Sequence, residues 1–341
     1  MVEPVETTVV EPHPVVEPVE TRNRRTAYPV GPTMRTALIR TYGDPDVVET
    51  ADVDDPLLGP DSILVEMAAA SVNPVDWKLV AGYLQGAFPS HLPVIPGWDI
   101  AGTVTAVGPA VTSCQEGDRV AAYARKDHIQ NGTYAELSAV PERAIALVPD
   151  GVDLVQAGAL PLAGLTAEQL LDATNVSEGD TVLVHAAAGG VGSFAVQLAA
   201  LRGARVIGTA SEANHEYLRG LGATPVLYGD ALVDNVRQVA PDGVNVVVDL
   251  VGGDALAATP QLLADGGRVA SIIEADTVKE LGGSYVFVRP NGPMLGRLLT
   301  LVADGKLKVE VAQTFPLDQA GAALDANRSG HTRGKIVVTA S

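Results

Sequence analysis

The sequence predicts an α/β protein in two parts, a β-rich first domain followed by a doubly wound sheet with helices on both faces. Three observations carry this. Between residue 34 and about residue 156, short strand-like runs recur with Pro, Gly and Asp between them, the punctuation of a β-rich domain. From about 157 to 290 the pattern changes to helices alternating with buried apolar strands. Residues 181–211, TVLVHAAAGGVGSFAVQLAALRGARVIGTAS, read as strand, tight turn, helix and strand, the parts of one βαβ unit.

Taken in order, the first 33 residues carry VEPVET twice, at 2–7 and 16–21, with prolines between and no helical or strand period. Such a tract cannot bury enough apolar surface to offset chain entropy and is expected to be disordered. It lacks the basic start and apolar core of a secretory signal. Met34 is then the expected true start, or the tail is dispensable; a partner-binding tail is the alternative. Strands are expected at residues 36–41, 62–70, 100–107, 119–124, 132–140 and 144–148. The cofactor-domain strands are 181–185, 205–208, 244–250 and 268–273, each a short apolar run. Residues 291–341 hold two helical stretches, 294–304 and 317–327, and a terminal strand, 335–339, expected to return to the first domain.

The turn in the βαβ unit is nearly free of side-chain bulk. It reads Ala186-x-x-Gly189-x-x-Gly192 with Gly190 added, followed by Val191, Phe194, Ala195, Leu198 and Leu201 at helical spacing and Gly203 where a helix ends. Unpaired N–H groups at that helix start, with the helix dipole, favour a pyrophosphate. A carboxylate at the tip of the second strand marks NAD by holding the ribose 2′-hydroxyl. Here the tip is Gly208-Thr209-Ala210-Ser211, and Glu212 comes one residue late. Ser211, Asn214, His215 and Arg219 stand where a 2′-phosphate is received, so NADP(H) is the expected cofactor.

Of 341 residues, 47% are hydrophobic, enough for two packed cores. A net charge of −18 argues against nucleic acid or an anionic membrane as partner. No apolar run reaches bilayer-spanning length. Cys114 is the one cysteine, so an internal disulfide is impossible, which suits a reducing cytoplasm. The six histidines are scattered along the chain and suggest no metal site.

Four stretches, in this order and spacing, carry a resemblance: ASVNPVDWK from Ala70, IPGWDIAG from Ile95, LPLAGLTA from Leu160 and the turn Ala186–Gly192. The chain resembles a zinc-independent quinone oxidoreductase, close to the zeta-crystallin branch of the medium-chain dehydrogenase/reductase superfamily, over nearly everything from Met34 on. That resemblance implies a GroES-like catalytic domain (residues 34–156 with 291–341), a Rossmann domain (157–290) and an active site in the cleft between them. It implies a homodimer built by extending the Rossmann sheet.

The superfamily's zinc enzymes need a thiolate and an imidazole as ligands. Asn73-Pro74 stands where the ligand cysteine would be, and Gly97-Trp98-Asp99 where Gly-His-Glu would be, so no zinc is expected. Without a Lewis acid, hydride transfer from NADPH goes to an acceptor that is already electrophilic, a quinone or an α,β-unsaturated carbonyl. The alternatives are an enoyl-thioester reductase and a non-catalytic NADPH-binding protein of structural or sensory role.

By the same resemblance Asn73 lies beside the nicotinamide ribose, Thr166 contacts the cofactor and Tyr228 meets the 2′-phosphate. The implied catalytic set is Asn73, Tyr83 and Thr166, Tyr83 offering its hydroxyl to a substrate carbonyl. Ala187, Gly189, Gly190, Val191 and Gly192 take the pyrophosphate. Val251 and Gly252 face the cofactor at a strand end, and Phe287 and Val288 flank the nicotinamide. Lys335 closes the site or is a solvated strand-end lysine, and Asp76 and Lys78 are expected to form an ion pair.

Overall fold

The computed structural model describes residues 33–340; the tail read from the first 33 residues lies outside them except for Thr33, which opens a strand instead. Two large sheets organise the chain. The first runs Val311–Pro316, Lys335–Thr339, Ser62–Val72, Asp99–Val107, Arg119–Tyr123 and Ile145–Leu147, with Leu137–Pro141 also paired to Ser62–Val72. Ser62–Val72 is its centre. Its first half alternates buried Ile63, Val65 and Met67 with more exposed neighbours, the pattern of a strand with one covered face. Its second half, Ala69–Val72, is buried on both faces. Near Met67 the register with Asp99–Val107 slips, and Gly102 sits there. A side chain at Gly102 would run into the carbonyl of Glu66, so glycine is what lets the two strands approach.

The second sheet has six parallel strands in the order Ala223–Val226, Arg205–Thr209, Thr181–Val184, Val244–Asp249, Leu263–Ser271 and Ser284–Tyr285. Strand order reverses beside Thr181–Val184, the place where doubly wound sheets open a ligand crevice. Helices Pro161–Ala173 and Gly190–Leu201 pack on one another above it. Phe194, Ala195 and Leu198 on the second helix are buried as its spacing predicts.

The terminal strand Lys335–Thr339 pairs antiparallel with Ser62–Val72, Ile336 opposite Val72, and so returns to the first sheet as expected. Other boundaries moved. The first strand is Thr33–Leu38, not 36–41. The strand expected over 132–140 forms only as Leu137–Pro141, because residues 132–134 instead bond the 95–97 turn: Gly132 N–H to Ile95, Thr133 N–H to Gly97 and Tyr134 N–H to Pro96. The strands Glu49–Asp54 and Ser90–Ile95, each with several polar or proline residues, gave no apolar signal. Helix Pro74–Val80 is not among the expected elements, although Asn73, Pro74 and Asp76 are N-cap, N1 and N3 residues of a capping box.

Phe194 is 1% exposed in the main core. Phe194→Ala is expected to lower unfolding stability by about 3–5 kcal/mol, read from denaturant unfolding; a loss below about 1 kcal/mol would show that the helix is not held by this contact.

Candidate active site

The glycine-rich turn follows Thr181–Val184 directly. Ala186 takes a left-handed conformation (φ +49°), uncommon without glycine, and its N–H is held by Thr209 Oγ1 at 3.0 Å. Ala187 N–H donates to the Thr209 carbonyl (3.0 Å), and Gly189 N–H to the Ala186 carbonyl (3.0 Å). Gly189 is then the N-cap of Gly190–Leu201 and brings no side-chain cap. The first intrahelical bond runs from Ser193 N–H to Gly189. The N–H groups of Gly190, Val191 and Gly192 therefore precede the helical ladder, the place where a helix start receives an anion. A Cβ at Gly192 would collide with the Ala186 carbonyl, and one at Gly208 would stand 2.7 Å from Ala187 Cβ, so both glycines let the backbone close up under the turn.

A buried polar cluster adjoins this turn. Ser62–Val72 ends at Asn73, which is 1% exposed. Asn73 Nδ2 donates to Asp99 Oδ2 (2.9 Å), while its Oδ1 accepts from Lys335 Nζ (2.5 Å). Lys335 Nζ also donates to the Val72 carbonyl at 3.0 Å. Asp99 accepts from Ser71 Oγ (2.6 Å) and from the N–H of Leu162 (2.8 Å), in the first turn of Pro161–Ala173. Asp76 Oδ2 accepts from Asn73 N–H (2.8 Å) and Tyr134 Oη (3.0 Å), while its Oδ1 has no partner among the described residues. Lys335 also reaches the turn: a Cβ at Gly190 would stand 2.7 Å from its Cδ, Gly334 bridges Gly189, and Gly334 N–H donates to the Ala188 carbonyl (3.1 Å).

Burial moves the charges in this cluster. It pushes Asp76 up to about 7, with Asn73 N–H, Tyr134 and Lys335 pulling back down. It pushes Asp99 up, against the pull of Lys335, Ser71, Asn73 and the Leu162 N–H. It pushes Lys335 down, while Asp99 and Asp76 hold it up.

The expected Asp76–Lys78 ion pair does not form. Residues two apart on a helix do not face one another; Asp76 turns into the cluster and Lys78 lies over the Trp77 ring at 5.7 Å. Thr166 is buried and donates its hydroxyl to Leu162 of its own helix at 2.7 Å. Tyr83 is 70% exposed, edge-on to Trp77, and is not brought to the cluster. Lys335 is buried rather than a solvated strand end.

Ser211 opens a short 3₁₀ turn and accepts from Asn214 Nδ2 at 3.3 Å. Arg219 pairs with Glu216 (3.1 Å), His215 Nε2 is buried without a partner among the described residues, and Tyr228 is exposed. Val251 and Gly252 donate their N–H groups to Asp249 Oδ1 at 3.2 and 3.0 Å, and Gly252 is left-handed (φ +76°). Phe287 stacks on Phe88 (5.8 Å between centroids) under the Arg125 guanidinium; Val288, one residue on, is half-buried. A cavity of about 670 Å³ beside Phe287 is lined by Gln169, Arg289 and Asn291 but by none of the cluster residues.

Asp99, Asp249 and Arg333 escaped the sequence reading. Asp99 and Asp249 are fully buried acids next to apolar strands, a legible signal. Arg333, whose guanidinium lies 5.1 Å from the Tyr217 ring centre and 3.4 Å from Glu310, reads as an ordinary surface cation in the sequence.

Residues 59–150 match the alcohol dehydrogenase GroES-like domain and residues 221–338 the zinc-binding dehydrogenase domain. The chain is 35% identical, over 89% of its length and 79% of the relative's, to an NADPH-dependent alkenal/one oxidoreductase of Arabidopsis thaliana. The chain belongs to the medium-chain dehydrogenase/reductase superfamily. Another relative in it, the chloroplast envelope quinone oxidoreductase homolog of Arabidopsis thaliana, is 32% identical over 90% of this chain and 99% of its own. Among solved structures of the superfamily, the quinone oxidoreductase from Coxiella burnetii superposes with a TM-score of 0.83, at 32% identity over 91% of this chain and all of its own. The superfamily's two parts, GroES-like and Rossmann-like, are the two sheets described above.

Asp76 has an ordinary value of 3.8 and a folded value near 7, so folding takes up a proton there. The stabilisation is complete below about pH 4 and is lost as pH rises through about 7. Asp76→Asn keeps the acceptor without the charge. Its stability relative to the parent chain is expected to grow by up to about 1.4 kcal/mol per pH unit across that window and then level off, in urea unfolding from pH 5 to 8. A difference that stays flat with pH would refute the assignment.

Proposed function

We propose that this chain is an NADPH-dependent reductase of quinones or α,β-unsaturated carbonyls that works without zinc. The observation carrying the reading is the juxtaposition of the helix start at Gly190, Val191 and Gly192 with the Lys335–Asn73–Asp99 cluster, joined by the Gly189–Gly334 bridge. The relatives, an alkenal/one oxidoreductase and quinone oxidoreductases, support the same substrate classes.

The residues fit a dinucleotide. The turn carries no side-chain cap, and Gly192 lets the helix start close up against the backbone of Ala186 and Ala187. Gly190, Val191 and Gly192 would hold the pyrophosphate; Arg333, next to Gly334 and over Tyr217, is the cation we assign to the adenosine phosphate together with Ser211, His215 and Tyr228. Bound NADPH supplies a hydride, and the chain's own work is position and polarity. Asn73 has both amide ends occupied, so its role is to present a rigid wall beside the nicotinamide. Phe287 and Phe88 give that region a flat apolar surface suited to a conjugated acceptor. The acceptor oxygen that gains charge takes its proton from solvent.

The residues do not fit a catalytic zinc. Asn73 and Trp98 replace the thiolate and imidazole, Asp99 is already bonded by three donors, and the Lys335 ammonium occupies the same pocket. No group of three or more His, Cys, Asp or Glu residues among the described residues is arranged to hold a metal. We take residues 34–156 with 291–341 as the catalytic unit and 157–290 as the cofactor unit, in a cytoplasmic homodimer paired through the short edge strand Ser284–Tyr285. Among the described residues no helix is long and apolar enough to cross a membrane.

The test is NADPH and NADH oxidation by EDTA-treated protein against a panel of quinones and enones. Turnover with both acceptor classes, faster with NADPH, is expected. Tight NADPH binding with no turnover on any acceptor would sink the reductase reading in favour of a non-catalytic role. Arg333→Gln is expected to cut the preference for NADPH over NADH about tenfold, about 1.4 kcal/mol; an unchanged ratio would remove Arg333 from the phosphate site.

A further inference from the structure

Two histidines stand outside the site just described. His91 lies in the strand Ser90–Ile95, and His128 directly precedes Ile129–Asn131. These strands pair in parallel with Ser90 opposite Ile129, and the Ile129 N–H donates to the Pro89 carbonyl at 2.9 Å. The pairing brings the two imidazoles together from 37 residues apart, Nε2 to Nε2 at 3.2 Å. Their ring centres are 5.2 Å apart and their planes 11° from parallel. Both side chains are exposed, and His91 forms part of the wall of a groove of about 500 Å³ with Tyr42, Gln85, Phe88 and Ser90.

We propose that His91 and His128 are a chelating pair for one first-row divalent transition metal ion, of the kind Zn²⁺, Ni²⁺ or Cu²⁺, separate from the cofactor site. The distance carries the argument. Two imidazole nitrogens on one ion at about 2.0–2.1 Å stand about 3.3 Å apart at a tetrahedral angle and about 2.9 Å apart at a right angle. The observed 3.2 Å lies between the two, so the nitrogens already stand at a chelating separation. Neutral imidazole is the ligand these metals prefer, whereas calcium and magnesium need oxygen donors that this pair does not offer. The chain's charge of −18 raises the local concentration of cations. With two protein ligands, the remaining coordination positions are left to water or to an oxygen-bearing molecule in the groove, and the ion exchanges readily.

The competing arrangement is an N–H···N bond between two neutral rings with no affinity for metal. Untagged full-length protein titrated with Ni²⁺ by calorimetry separates the two. One ion per chain is expected, at least tenfold weaker in His91→Ala and in His128→Ala, and unchanged in His331→Ala, another exposed histidine. No uptake by the parent chain, or uptake equally tight in both variants, overturns the proposal. Cu²⁺ bound to the parent chain is expected to show hyperfine coupling to two nitrogens in electron paramagnetic resonance; coupling to one or none overturns it. Thermal melting of the variants and a second pair, His91→Gln and His128→Gln, distinguish a lost ligand from a lost fold.

Discussion

The structure depends on one buried polar network. Asn73, at the end of the central strand, is gripped from two sides, by Asp99 on the next strand of its sheet and by Lys335 at the start of the terminal strand. Asp99 in turn holds the first turn of Pro161–Ala173. Four segments of the chain are thus tied by charge-assisted hydrogen bonds inside a buried core, where each is stronger than at the surface. Such groups are costly to desolvate, and losing one partner of a buried pair costs about 3–5 kcal/mol. The network is therefore more a device for holding one geometry than a source of net stability.

That geometry serves the glycine turn. Lys335 lies along Gly190 and Gly334 bridges Gly189, so the terminal strand and the helix start cannot move independently. The turn's own shape comes from backbone: a left-handed Ala186 fixed by Thr209, and glycines at 192 and 208 where Cβ atoms would collide. An anion there meets N–H groups that are already oriented, which reduces the ordering cost of binding. The two devices meet at a single point, the start of the strand Lys335–Thr339.

Much of this was legible in the sequence. The βαβ unit announces itself through apolar strands at 181–184 and 205–209, a bulk-free turn and helical spacing from Val191 to Leu201, all local patterns. The terminal strand's return to the first sheet was also readable, because a strand after a closed parallel sheet must pair elsewhere. The capping box at Asn73 is a local pattern too, an Asn-Pro with an acid at N3. Arg333 and the His91–His128 pair were not legible, since each gains its meaning from residues far along the chain.

The sequence by itself determined the fold class, the cofactor turn and the absence of a thiolate–imidazole pair at the positions where the superfamily's zinc enzymes carry one, because periodicity, glycine placement and residue identity are local properties. Only the tertiary structure decided what Asn73, Asp76 and Lys335 do. Alone, each is an ordinary polar residue, the acid and the lysine with ordinary pKa values. Brought together and stripped of water, Asn73 loses its free amide, Asp76 rises to about 7 and Lys335 becomes a buried cation. Desolvation and pairing depend on what packs around a group, and no stretch of sequence records its own surroundings.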